Sequence, residues 1–213
     1  MKTETLRLFV VRHGITDWNR ALRMQGHTDI PLNEEGRRQA SRIAARLAAL
    51  DAPLDAVWSS DLSRARDTAE AIAAPYGLPV RCTPLLREIM LGAWEGLSQT
   101  EIEARGDGEL LQRYRDSPAG ARPPGGETLE HAWDRMLRVR AEICAEFPEG
   151  QVVVVGHGGT LRALLAAALD APVTSMLKFS LVNTSLSILE QTRNSHGSVW
   201  RIRSVNDTAH LLC

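Results

Sequence analysis

The sequence predicts an α/β layered sheet with right-handed crossovers. Two observations carry this reading. Short apolar runs at Leu6 to Val11, Asp55 to Trp58 and Gln151 to Val155 are each followed by a polar turn and then by a helical pattern. The run Val152 to Val155 also lacks alternation, as a parallel strand buried on both faces requires.

The elements follow in order. Leu6 to Val11 ends in Arg12-His13-Gly14, and Asn33-Glu34-Glu35-Gly36 then opens an amphipathic helix that closes near Leu50. Asp55 to Trp58 leads into Ser59-Ser60-Asp61, which can cap a helix running through Arg64 and Ala69 towards Ala74. From Leu85 to Glu127 the breakers Gly106-Asp107-Gly108, Ser117-Pro118 and Arg122-Pro123-Pro124-Gly125-Gly126 interrupt any long element. That region is too long for a bare loop and is expected to carry short helices over one face of the sheet. Leu129 to Phe147 reads as a long helix, and Gln151 to Val155 turns through Gly156-His157-Gly158-Gly159-Thr160 into a helix from Leu161 to Leu169. Ser185 to Gln191 and Ser198 to Ser204 read as an antiparallel hairpin at a sheet edge, joined by Asn194-Ser195-His196-Gly197. Thr208 to Cys213 carries no signal. With 213 residues the chain is expected to be one domain, 1–213, with a helical and loop cap insertion at about 85–127.

Composition narrows the function classes. Hydrophobic residues make up 44% and charged residues 24%, which suits a soluble globular protein with a sizeable core. A formal charge of −1 argues against a surface given over to nucleic acid or to an anionic membrane. Only Lys2 and Lys178 are lysines, so nearly every cation is an arginine, whose planar fork suits carboxylate and phosphate. Cys82, Cys144 and Cys213 are widely spaced with no C-x-x-C, which suggests neither a disulfide framework nor a cysteine zinc site. Met1 to Leu8 is charged and contains no leader-like apolar stretch, so a cytoplasmic protein is expected.

In open α/β sheets ligands bind beyond the carboxyl ends of the strands, where loops converge and helix N-termini present free N–H groups. The three βα units place Arg12 and His13, Arg64, and His157 at that edge. Singly, each has a bland reading as a turn histidine or a solvated arginine. Together they describe an anion site containing a candidate nucleophile, because concentrating that charge is costly unless an anion is bound. Other chemistries lack their motifs. There is no phosphate-binding G-x-x-x-x-G-K-[ST], no G-x-G-x-x-G after a strand and no G-x-S-x-G elbow. Cys82 and Arg87 are one residue too close for a cysteine phosphatase loop. The six histidines show neither H-x-H nor H-x-x-x-H spacing, so no metal and no cofactor is expected.

Val10-Val11-Arg12-His13-Gly14-Ile15-Thr16, with Asn19, Gln25-Gly26, Asp29-Ile30-Pro31-Leu32 and Gly36, resembles the signature of the histidine phosphatase superfamily, the phosphoglycerate-mutase-like group. The resemblance continues through Ser59 to Ala65, Arg87-Glu88, Gly92 to Gly96, Gly125 to Thr128, Gly156 to Gly159 and Asn183-Thr184-Ser185, and so spans nearly the whole chain. It implies a three-layer α/β/α fold with a mostly parallel central sheet. It also implies that His13 is a nucleophile that becomes phosphohistidine, that Arg12, Arg64 and His157 hold the phosphoryl oxygens, and that Glu88 is the proton donor. Asn19 and the backbone around Gln25-Gly26 and Gly158 would complete the pocket. By residue type, Glu88 can equally be a cap or the partner of Arg87, and Glu95 and Glu127 are the runner-up carboxylates.

The physics suits these roles. Histidine attacks only when neutral, and two neighbouring guanidinium groups disfavour its protonated form. His157, facing a bound dianion, is expected to favour the protonated donor state. Ile15 stands where Glu or Gln is common and Leu91 where Phe often precedes the glycine, which bears on substrate preference. The expected activity is metal-independent hydrolysis of a small phosphomonoester. Sugar phosphates, phosphoglycerate derivatives and a ribazole phosphate are the implied substrates, and Arg113, Arg115 and Arg122 are scattered through the insertion rather than gathered to grip a second anion. A cofactor-dependent phosphoglycerate mutase and a catalytically silent phospho-ligand binding module are the alternatives. No nucleic acid or membrane partner is expected, and the group includes monomers and homodimers.

Overall fold

In a computed structural model, which describes residues 3–50, 53–116 and 120–212, six strands form one mixed sheet with helices on both sides. Cys213 and the breaker Ser117-Pro118 lie outside the described residues. In chain order the elements are β1 (Glu4–Arg12), α1 (Asp17–Arg20), α2 (Glu34–Ala48), β2 (Ala56–Ser60), α3 (Ser63–Ala73), β3 (Val80–Thr83), α4 (Gln99–Ile102), α5 (Gly108–Asp116), α6 (Leu129–Glu146), β4 (Gly150–Gly156), α7 (Gly158–Ala167), β5 (Leu186–Asn194) and β6 (Gly197–Asp207).

The strand order is β3-β2-β4-β1-β5-β6. The first four are mutually parallel, and the β5–β6 hairpin closes the other edge antiparallel. Alternate residues of the central strands feed two cores. Leu8, Val10, Val152 and Val154 pack beneath α6, α7 and the 84–127 segment, while Phe9, Val11, Val153 and Val155 pack beneath α2 and α3. That double burial is why β4 shows no sequence alternation. In the 84–127 segment, turns of 3-10 helix at Pro84–Leu86 and Gly92–Trp94, a wide turn at Glu103–Asp107, α4 and α5 supply the expected short helices. Among the described residues no helix is long and apolar enough to cross a membrane.

Three features depart from the sequence reading, each for a physical reason. β3 was not anticipated: it is an edge strand of four residues between Pro79 and Pro84, with Arg81 and Cys82 exposed, so neither length nor alternation marks it. The helix cap expected from Ser59-Ser60-Asp61 comes from elsewhere. Leu62 is the N-cap residue of α3 without a side-chain bond, and Asp29, 34 residues away, accepts from the Ser63 N–H (2.8 Å) and Oγ–H (2.7 Å). Finally, α7 begins at Gly158 rather than Leu161, which brings the glycines into the first helical turn.

Candidate active site

The carboxyl ends of β1, β2 and β4 converge on a cavity of about 430 Å³. Seven expected site residues line it: Arg12, His13, Asn19, Gln25, Gly26, Arg64 and Glu88. His157 lies immediately beneath, its ring centroid 5.0 Å from that of His13. Gly158 borders an adjoining cavity of about 340 Å³ that shares Arg12 and Glu88 with the first.

His13 is held from three sides. Its N–H donates to Gly156 O of β4 (3.0 Å), and its carbonyl accepts from Asn183 Nδ2 (3.0 Å). Nδ1 lies 2.7 Å from Gly14 O, so that nitrogen carries the proton and Nε2 keeps its lone pair. Burial, then Arg64 and Arg12, hold the imidazole well below its ordinary pKa, which keeps it neutral.

Arg64, on the first turn of α3, is completely buried and uses all three nitrogens. Nη1 donates to Thr28 O (2.8 Å), Nη2 to Gly26 O (2.9 Å) and Nε to His157 Nδ1 (3.2 Å). Burial lowers its pKa to about 10, so it remains a cation at neutral pH. Because Arg64 donates to Nδ1, His157 must present a lone pair there and carry its proton on Nε2, a buried atom with no partner in the protein. Burial, then Arg64, His13 and Arg12, hold this imidazole well below its ordinary pKa as well. A second proton on His157 would oppose the Arg64 N–H, and the neutral ring presents a spare Nε2–H.

Arg12 is anchored through Nη1 to Leu181 O (2.6 Å), and its Nε is buried and unpartnered. Asn19 accepts at Oδ1 from Thr16 N–H (3.1 Å) and Asn183 Nδ2 (3.3 Å), which leaves its amide nitrogen as the free donor. Gln25 accepts from Thr16 Oγ1 (3.1 Å). Gly26 has φ +53, and a Cβ there would lie 2.2 Å from Glu95 Oε1, so only glycine lets the loop approach.

The structure separates the three candidate carboxylates. Glu95 accepts from the N–H groups of His27, Thr28 and Leu91 and from Thr28 Oγ1 (2.6 to 3.1 Å). Burial alone would push its pKa up, but these donors bring it below the ordinary value, and it serves to fold the 25–28 loop. Glu127 accepts from Met90 N–H (2.9 Å) and pairs with Arg135 (2.5 Å). Only Glu88 faces the cavity. It is not the partner of Arg87, which pairs with Asp61 through two bonds of 2.8 and 2.6 Å. It does cap a helix, though not its own: Oε2 accepts from Gly159 N–H (3.0 Å) and Oε1 from Thr160 N–H (3.2 Å) at the start of α7. A Cβ at Gly159 would lie 2.4 Å from Glu88 Oε1, so the glycine makes this approach possible.

The opposite wall was largely missed. Arg23, Met24, Ile89, Leu91, Tyr114, Arg115, Arg162 and Leu177 line it. Of the three arginines singled out in the insertion, Arg115 lines the cavity whereas Arg113 and Arg122 do not. Arg162 sits one turn after Gly158, its Nε bonded to Gly158 O (2.9 Å), and it borders both cavities. The i, i+4 spacing from Gly158 was the available signal.

Comparison with known proteins shows the family. The family model described as histidine phosphatase superfamily (branch 1) matches residues 8–208. A "probable phosphoglycerate mutase GpmB" of Yersinia pestis (strain Pestoides F) is 35% identical over 208 residues, covering 97% of this chain and 95% of the relative. A mycobacterial glucosyl-3-phosphoglycerate phosphatase solved with VO3 is 38% identical with a TM-score of 0.82, covering 95% of this chain and 99% of that one. A phosphoserine phosphatase of Entamoeba histolytica, solved with 3-phosphoglyceric acid, is 27% identical with a TM-score of 0.82, covering 97% and 99%. The chain belongs to branch 1 of the histidine phosphatase superfamily.

Proposed function

We propose that the protein is a metal-independent phosphomonoesterase that hydrolyses a small phosphorylated metabolite through a phosphohistidine on His13. The observation that carries this reading is the tautomer pair. His13 has its lone pair on Nε2, and His157 has a spare N–H beside it. Phosphoryl oxygens lie among the Arg12 and Arg64 guanidinium groups, Asn19 and His157 Nε2–H, which oppose the charge of the transition state without a metal.

His13 Nε2 attacks phosphorus as the P–O bond to the alcohol breaks, and Glu88 donates a proton to the departing oxygen. Glu88 then takes a proton from the incoming water, whose oxygen bonds to phosphorus as the P–N bond breaks. Inorganic phosphate leaves and His13 is restored. The alcohol portion lies against Ile89, Leu91, Tyr114 and Leu177, with Arg115 and Arg162 at the rim. Such a wall suits a small leaving group, and the phosphatases among the structural relatives support this reading.

The name of the Yersinia relative favours a mutase, in which phosphohistidine returns its phosphoryl group to the substrate. Incubation with 3-phosphoglycerate separates the two. Release of inorganic phosphate without added bisphosphate is expected, and 2-phosphoglycerate formed only with a bisphosphate primer would replace the proposal by the mutase reading. Turnover should also persist in EDTA; activity lost and then restored by a divalent ion overturns the metal-free mechanism.

A further inference from the structure

Glu88 projects from residues 87–91, which belong to no helix or strand, although general acid catalysis demands a fixed donor. Its carboxylate accepts from the N–H groups of Gly159, Thr160 and Ile89 (2.9 to 3.2 Å), and the backbone that carries it is restrained from α6. Arg135 points a largely buried guanidinium at this stretch from behind. Nη1 donates to Leu85 O (2.6 Å) and Arg87 O (2.9 Å), and Nη2 donates to Glu88 O (3.2 Å). Nη2 also donates to Glu127 Oε1 (2.5 Å), the same oxygen that accepts from Met90 N–H (2.9 Å). One ion pair, with side chains 18% and 12% exposed, therefore holds three carbonyls and one N–H within six residues of chain. His27 Nε2–H adds a 2.7 Å bond to Glu88 O from the phosphate-side loop. A guanidinium facing mainly carbonyls, with one carboxylate to balance it, is costly to bury and useful only where geometry must be held.

We propose that Arg135, with Glu127, is a positioning residue for the acid. By fixing the backbone on both sides of Glu88, the pair sets the reach of its carboxyl group to the leaving-group oxygen. The proposal rests on the role given to Glu88 above and reaches beyond it to a residue pair that never touches substrate.

The readout is leaving-group dependence of kcat/KM, which reports steps up to phosphohistidine formation. An alkyl phosphate such as glycerol 3-phosphate needs the proton, whereas p-nitrophenyl phosphate releases a stable phenolate without it. Arg135→Gln is expected to lose about 100-fold on glycerol 3-phosphate, the scale of an ångström of misplacement. The loss on p-nitrophenyl phosphate should stay below about fivefold, and Arg135→Lys should recover part of the alkyl activity. On the alkyl ester, Arg135→Gln combined with Glu88→Gln should be no worse than Glu88→Gln alone. Equal losses on both esters, or additive losses in the double variant, overturn the proposal.

If Arg135→Gln does not fold, Glu127→Gln, which keeps the shape and the acceptor for Met90 N–H, should show the same selectivity at about tenfold. Amide exchange provides a readout independent of turnover. Ile89 and Met90 should lose at least tenfold protection in Arg135→Gln while α2 is unchanged, and unaltered protection refutes the positioning role even if neither ester is a substrate. A wild type that turns over neither ester sinks the hydrolase reading instead, and a selective loss in Glu88→Gln without one in Arg135→Gln sinks only the positioning.

Discussion

The floor of the cavity, where the proposed mechanism holds the phosphoryl group, and the far wall, where it places the leaving group, are built differently. At the phosphoryl end, Arg12, His13, Arg64 and His157 stand on strand ends or the first turn of the following helix, and the last three are at most 2% exposed. The backbones of Arg12 and His13 are tied to neighbours across the sheet, and the four side chains bond mainly to main-chain carbonyls and to one another. On the far wall, Leu91 comes from a loop and Tyr114 and Arg115 from α5, both within the 84–127 segment, and Arg115 is exposed. Arg162 and Leu177 join them from α7 and the turn beyond. Buried side chains at strand ends suit a group common to all substrates, and side chains drawn largely from a segment outside the sheet suit the part that varies.

Variants at the two ends should accordingly fail differently. The largest loss is expected from His13→Ala, at least about 10⁴-fold in kcat on every phosphomonoester, because no other group on the floor can form the covalent intermediate. Residual activity above one per cent, measured by phosphate release, would remove His13 as nucleophile. Next comes Arg64→Lys, which loses the fork to Gly26, Thr28 and His157 at once. About 10²- to 10³-fold is expected, equally for alkyl and aryl esters. A loss confined to one ester class would move Arg64 from the floor to the wall.

The wall should discriminate. The terminal nitrogens of Arg162 make no hydrogen bond among the described residues, so an anionic leaving group has a free partner there. Arg162→Gln is expected to reduce kcat/KM for 3-phosphoglycerate by about 10- to 100-fold, with glycerol 3-phosphate changed less than threefold. These two esters differ only in a carboxylate against a hydroxymethyl group, and equal losses would break the comparison.

The smallest effect concerns pH. His13 and His157 have folded pKa values well below 6.5, first through burial and then through Arg64. Their neutral forms thus contribute stability that is complete above the unfolded value and is lost as pH falls from about 6.5 towards the depressed folded values, where the unfolded chain binds protons that the native one refuses. Urea unfolding should show stability level above pH 7. Between pH 7 and 5 stability should fall, because the unfolded chain binds protons on these two groups more readily than the native one. His13→Ala should lessen this fall, and an unchanged pH dependence would deny that the imidazole is buried neutral. The acid limb of kcat/KM should likewise fall below 6.5.

Legibility in the sequence followed the same division. Arg12, His13, Arg64 and His157 were readable because apolar runs followed by turns announce parallel strand ends. The valines of β4 gave double burial away through their lack of alternation. β3 was hidden because four half-exposed residues between prolines carry no period. The cap of α3 was assigned to adjacent serines, whereas a packed loop delivers Asp29 instead. Glu88, Glu95 and Glu127 are alike as letters; one faces the cavity, one folds a loop and one balances Arg135.

What the chain alone determined was the alternating α/β plan and which side chains stand at the strand ends, since periodic burial and turn chemistry are local and are written in neighbouring residues. Tertiary structure decided which carboxylate shares the cavity with His13, which nitrogen of each imidazole carries the proton and which arginines rim the far wall. Those outcomes depend on how α6, α7 and the 84–127 segment pack across the sheet, bringing together residues about 70 positions apart, such as Glu88 and Gly159.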